Sequence, residues 1–243
     1  MTVFDDLVAE QDRLDGVLSG LSPEQWLTES SAAGWSVADT VLHLAQSEEG
    51  VVTSATGRSA FASPPDATVD DYADFMVRSE RAAPSAVYER WQRARRAAVA
   101  ALIAADPKVP LAWVAAPVKP ATLATTRMAE HWAHGLDIAE PLGIDFPDTD
   151  RLRHIAWLAH RTLPYAFGAA GLEPAPVRCV LTAPSGAETW TFGPDAAESE
   201  ISGPASEFCR VAAQRLAPDK AHALTATGPH ASAALQVLRT YAV

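Results

Sequence analysis

Apolar residues recur at helical spacing through about the first 140 positions of this 243-residue chain. Val3, Phe4, Leu7, Val8, Leu14, Val17 and Leu18 place a helix over Val3–Leu18, ending near Gly20. Ser22-Pro23-Glu24-Gln25 starts a short helical turn, a capping serine followed by proline at the first helical position. A second helix is predicted from Ser36 or Val37 to about Thr53. Ser36 is its N-cap, and Asp39, three residues on, makes a near capping box and suits the helix dipole. Gly57 to Thr68, with Pro64-Pro65, reads as a loop. Asp70–Ala105 is again helical, divided by Pro84 into two pieces. Pro107, Pro110, Pro117 and Pro120 frame an irregular connection, and a further helix runs from about Ala121 to Glu140, ended by Pro141, Gly143 and Pro147. Four main helices at this spacing suit an up-down bundle over residues 1–147.

The pattern changes after residue 147. Asp150–Phe167 is amphipathic and helical, but Val177–Thr182 and Glu188–Phe192 flank a Pro-Ser-Gly turn and read as a hairpin. Ser199–Ser202 adds a short third strand, and two helices, Pro204–Leu216 and His230–Ala242, close the chain. Residues 148–243 therefore read as a small α/β domain, and the whole chain as α+β.

Composition narrows the function classes. Hydrophobic residues make up 48% and charged residues 20%, enough apolar surface for a packed core. No stretch approaches the roughly 18 apolar residues of a membrane span. The N-terminus lacks the basic and apolar regions of a secretory signal, so the expectation is a cytoplasmic protein. A net charge of −11 repels phosphates and anionic lipid, which argues against nucleic-acid and membrane partners and leaves a small-molecule substrate, with the chain a monomer or homodimer. Cys179 and Cys209 are far apart and read as reduced core residues. No Gly-X-Ser-X-Gly elbow and no glycine-rich phosphate loop is present.

The histidines carry more information. His43, between Leu42 and Leu44 on an otherwise apolar helix, points inward; alone it reads more readily as a hydrogen-bonded core residue than as a ligand. Glu130 and His134 are four residues apart, so a carboxylate and an imidazole stack on one helix face and can reach one ion at about 2.0–2.2 Å. His43 from a facing helix completes three protein ligands, the open arrangement of catalytic rather than structural sites. His131 competes as a ligand with His134, although the i,i+4 alignment favours Glu130. Arg127, on the same face, either orients Glu130 or binds a substrate carboxylate. Asp137 either accepts the second imidazole proton of His134 or is a solvated residue near the helix end. His154 and His160 read as structural or exposed, and His222 and His230 as surface residues flanking a turn over Thr225–Pro229. The tryptophans, Trp35 among them, read as packing. Arg178, Arg210 and Arg215 are the C-terminal cations suited to an acidic substrate or the carboxylate of a thiol cofactor.

The run from Trp35 to Leu44, followed by Arg127-Met128-Ala129-Glu130-His131-Trp132-Ala133-His134-Gly135-Leu136-Asp137, resembles the mycothiol-dependent maleylpyruvate isomerase family, a branch of the DinB-like metal-binding bundles. The resemblance implies a divalent metal, zinc first and nickel second, on His43, Glu130 and His134. It further implies an external low-molecular-weight thiol such as mycothiol, held as a nucleophilic thiolate. The chemistry implied is isomerisation or S-transfer on a small electrophile; the other outcome is a non-catalytic metal-binding or stress-response member of the superfamily.

Overall fold

The computed structural model describes residues 2–58, 68–114 and 116–241. Two compact units result, the first ending at Phe146 and the second spanning Pro147–Tyr241. In the first unit the helices are α1 (Val3–Leu18), α2 (Pro23–Trp26), α3 (Val37–Ala55), α4 (Val69–Ser79), α5 (Pro84–Ala104) and α6 (Pro120–Ala139). The four long ones, α1, α3, α5 and α6, form the bundle: α3 packs on α5 and α6, and α1 on α6 and α5. Most of the expected loop from Gly57 to Thr68 lies outside the described residues.

Side-chain caps start α1 to α4, whereas α5 and α6 open on a proline in the first turn. Thr2, Ser22, Ser36 and Thr68 each close a full capping box with the residue three positions on. At α3 the Asp39 amide donates to Ser36 Oγ at 3.1 Å, and the Ser36 amide returns a bond to Asp39 Oδ2 at 3.0 Å. Arg81 then clamps both Asp39 oxygens, Nε at 2.8 Å and Nη2 at 2.9 Å, tying the start of α3 to the α4–α5 link. Burial acts to raise the Asp39 pKa, but Arg81 and the Ser36 amide and hydroxyl outweigh it and hold it below the usual carboxylate value. The folded form therefore binds its proton less readily than the unfolded chain. The resulting stability is present above the ordinary aspartate pKa and is lost as pH falls through the depressed folded value. Asp39→Asn is expected to lower the melting temperature at neutral pH and to flatten the acid side of the melting-temperature profile. A variant with the wild-type acid limb would show that Asp39 has no such role.

Two apolar clusters fill the bundle. Leu14, Val37, Val41, Leu44, Trp91 and Ile138 form one, and Leu7, Val51, Ala98, Leu102, Leu123 and Met128 the other. Gly135 of α6 is set by packing: a Cβ there would lie 2.5 Å from Phe146 Cζ, and the Arg13 guanidinium stacks 3.6 Å from the same ring. Gly135→Ala overpacks this contact and is expected to cost about 1–3 kcal/mol of stability in a denaturant titration. A neutral result would mean that Phe146 moves aside freely.

In the second unit, α7 (Leu152–Arg161), α8 (Leu163–Ala169), α9 (Ala205–Ala212) and α10 (Ala231–Val237) accompany a four-stranded sheet of order β2-β1-β3-β4. Its strands are β1 (Val177–Thr182), β2 (Thr189–Phe192), β3 (Ser199–Pro204) and β4 (Thr225–Thr227). β1 and β2 pair as the expected antiparallel hairpin, while β3 runs parallel to β1. Val177, Cys179 and Leu181 point to the buried side of β1, as strand alternation requires.

Three expectations for this unit are corrected. The single helix over Asp150–Phe167 is two, because the Pro164 ring cannot continue a helix past the carbonyl of His160. The closing helices are shorter than periodicity suggests: α9 stops before Gln214, which takes φ 60° and donates its side-chain amide to Val211 O and Leu238 O. Thr225–Thr227, read as part of a turn, is strand β4, paired antiparallel to β3 and ended by Gly228 at φ 87°. Three residues are too few for alternation to declare a strand.

Candidate metal centre

α3 and α6 bring His43, Glu130 and His134 together, with one ligand-capable atom from each lying within 4.8 Å of the others. Glu130 Oε2 sits 3.5 Å from His43 Nε2 and 3.5 Å from His134 Nε2. The two imidazoles meet edge to face, with centroids 5.1 Å apart and planes at 72°. Behind His134, Asp137 Oδ2 accepts from Nδ1 at 2.8 Å. In the neutral imidazole that bond puts the ring proton on Nδ1 and leaves the Nε2 lone pair facing Glu130. Asp137 is buried, not a solvated helix-end residue, and its carbonyl also receives the Ser31 amide at 2.8 Å.

Three electron-rich atoms thus converge at separations longer than an ordinary N–H···O bond. Such a set could hold a cation among them. Burial works to raise the Glu130 pKa, but the two imidazoles and Arg127 hold it well below the usual carboxylate range. Burial lowers His43 and prevails there. His134 is raised instead, because Asp137 and Glu130 overcome its burial. An anionic carboxylate between two imidazoles is a donor set that could hold a divalent transition metal. His43 and Glu130 keep side-chain exposures of 18% and 27%, which leaves one side of the triad reachable from outside.

His131 is not the alternative ligand that spacing allowed. Its Nε2 accepts from the Trp91 indole at 3.2 Å, and its Nδ1 donates to the Arg127 carbonyl at 2.8 Å. Because an indole only donates, the tautomer is settled with the proton on Nδ1. Burial pushes this imidazole down to about 3, so it stays neutral. Arg127 itself is buried with its Nε on Glu48 Oε1 at 2.9 Å, a partner that spacing on one helix did not disclose. The signal for Glu48 is visible in retrospect: it stands in the 41-44-48-51 stripe with Val41, Leu44 and Val51, an acid where the core expects an apolar residue.

Trp35 was also read only as packing. Its ring lies 5.1 Å from that of His43 and 6.3 Å from that of His134, and its Nε1 donates to Asp74 Oδ1 at 3.0 Å. The same ring lines a cleft of about 420 Å³ with Leu27, Glu29, Asp39 and Arg81.

The remaining candidates lie in the second unit. Arg210 bonds Asp148, Arg215 donates to Ala213 O at 2.7 Å, and Arg178 lies 3.7 Å from both Asp195 and Glu200. His160 Nε2 donates to Val177 O at 3.0 Å and stacks on Phe192; His222 and His230 are exposed. Cys179 is pushed up to about 12 by burial and the nearby Glu200, and burial drives Cys209 well above its ordinary value. Neither is a ready nucleophile.

Residues 7–139, the span that carries the triad, match the profile of the mycothiol maleylpyruvate isomerase N-terminal domain. The chain belongs to this family. Two uncharacterized proteins of Mycobacterium tuberculosis, from strains CDC 1551 / Oshkosh and ATCC 25618 / H37Rv, are each 37% identical to it over 218 residues. The alignment covers 87% of this chain and 84% of theirs. Among solved structures, the mycothiol-dependent maleylpyruvate isomerase superposes with a TM-score of 0.62 over 93% of this chain and 91% of its own, at 15% identity. A mutant of that enzyme gives the same TM-score at 14% identity. At that identity the likeness shows the shared α+β fold of the maleylpyruvate isomerase type, and the family membership rests on the sequence match. No helix among the described residues is long and apolar enough to cross a membrane.

Proposed function

We propose that this member of the mycothiol maleylpyruvate isomerase family is a metal-dependent enzyme that uses an external low-molecular-weight thiol, of the mycothiol type, to isomerise or S-transfer to a small electrophile. The observation that carries the reading is the placement of Glu130 Oε2 at 3.5 Å from both His43 Nε2 and His134 Nε2, three ligand-capable atoms facing one another. His43, Glu130 and His134 would hold the ion, zinc in the first instance and nickel in the second. A divalent cation there supplies Lewis acidity that lowers the pKa of a thiol and favours its nucleophilic thiolate form.

The chain's own residues prepare for this. Asp137 fixes the His134 tautomer so that Nε2 presents its lone pair, and the anionic Glu130 balances part of the cation's charge. Trp35 gives the centre an aromatic wall, its ring 5.1 Å from that of His43 and 6.3 Å from that of His134. With Cys179 and Cys209 buried and their thiols held protonated, the nucleophilic sulfur has to come from outside.

The test is direct. Protein purified without chelators is expected to carry about one zinc or nickel ion per chain. It is further expected to isomerise maleylpyruvate, or to conjugate monochlorobimane, only when mycothiol is added. Metal-free protein that cannot be loaded would overturn the metal centre. A loaded protein inert to the thiol panel would point to the non-catalytic member of the superfamily.

A further inference from the structure

A buried ion pair lies next to the triad and has no part in it. Glu48 on α3 is 0% exposed and Arg127 on α6 is 3% exposed, with Arg127 Nε donating to Glu48 Oε1 at 2.9 Å. The pair joins the same two helices as the triad. His43 meets Glu130 and His134, whereas Glu48, five residues further along α3, meets Arg127, three residues earlier on α6. The two helices therefore run antiparallel, and the ion pair forms the next layer, roughly 7 Å along the axis from His43.

Each partner keeps a polar atom in reserve. Arg127 Nη2 and Glu48 Oε2 are both buried and without a hydrogen-bond partner among the described residues. Orphaned atoms of this kind are rare in native interiors, and a buried ion pair is weak evidence of a stabilising role. Glu130, three residues on from Arg127 on the same helix face, turns Oε2 to the imidazoles. A bare arginine beside a cation site would repel the ion; Glu48 cancels that charge.

We propose that Glu48 and Arg127 form a positioning pair for the metal centre, their buried ion pair locking α3 to α6 one layer from the triad so that His43 on one helix is held against Glu130 and His134 on the other. The proposal rests on the metal-binding reading above. Neither residue touches the ion or the substrate. Their role is to fix the register of α3 against α6.

The experiment compares wild type with E48Q and with the apolar pair E48L/R127M, using Co²⁺ and Zn²⁺ as probes. Affinity is read by chelator competition and the site by the visible Co²⁺ spectrum, neither of which depends on turnover. E48Q keeps the shape of the side chain but uncovers the arginine charge, and is expected to weaken both ions at least about tenfold. E48L/R127M removes both charges and is expected to melt no lower than E48Q, yet to bind Co²⁺ at least about tenfold more weakly with a shifted spectrum. Wild-type affinity and spectrum in the apolar pair would reduce Glu48 and Arg127 to packing and overturn the proposal, as would unchanged affinity in E48Q should the apolar pair fail to fold. Wild type that takes up neither ion would instead sink the metal reading, a result seen before any variant is made.

Discussion

His134→Ala is expected to cost the protein its bound divalent ion and, with it, all thiol-dependent turnover. His134 supplies one of three convergent donors, and without it a single imidazole and a single carboxylate remain. Two ligands on two helices cannot enclose an ion against water, so chelator competition should show a loss larger than any indirect change produces. Asp137→Asn provides the graded comparison. It leaves Nε2 in position but weakens the acceptor that Nδ1 bonds at 2.8 Å, and is expected to lower affinity by about 10- to 100-fold. Far-ultraviolet circular dichroism separates loss of the ion from loss of the fold. If His134→Ala retains the wild-type ion content, the centre lies elsewhere in the chain.

The second large effect concerns stability. Arg127→Met leaves Glu48 as an uncompensated carboxylate with no exposure to water, and single truncation of a buried pair costs about 3–5 kcal/mol. Burial already pushes the Glu48 pKa up against the pull of Arg127, so the lone residue would take a proton on folding and the loss would deepen as pH rises. The sign follows from a folded pKa above the unfolded one: below the unfolded value both states are protonated, and above it the folded state is penalised. Urea titrations of Arg127→Met at two pH values measure both parts. A variant as stable as wild type at high pH would mean that Glu48 reaches water in solution.

Much of the first unit was legible from local signals. The helix starts at Ser22 and Ser36 are written in capping residues whose partners sit three positions away, and the ends near Gly20 and Pro141 in residues that cannot continue a helix. The hairpin of β1 and β2 was equally local, because its turn and alternation lie within one short stretch. The second unit was harder. β4 holds only by pairing with β3, more than twenty residues earlier, and nothing within Thr225–Thr227 announces it.

The centre itself divides along the same line. The amino-acid sequence by itself determined that Glu130 and His134 share a helix face, since i,i+4 spacing settles this for any α-helix, and it made Asp137 a neighbour of His134 by the same rule. Whether Glu130 or His131 pairs with His134 was left to the packing of α5, where the Trp91 indole claims His131 and removes it from competition. The meeting of His43 with Glu130, and the role of Arg127, depended on the antiparallel contact of α3 with α6. Glu48 took the arginine, so it became part of a buried pair instead of an open substrate anchor. Helical periodicity fixes directions around one axis. The distance between two axes, and the residues that meet across it, follow only from how side chains fill the space between them.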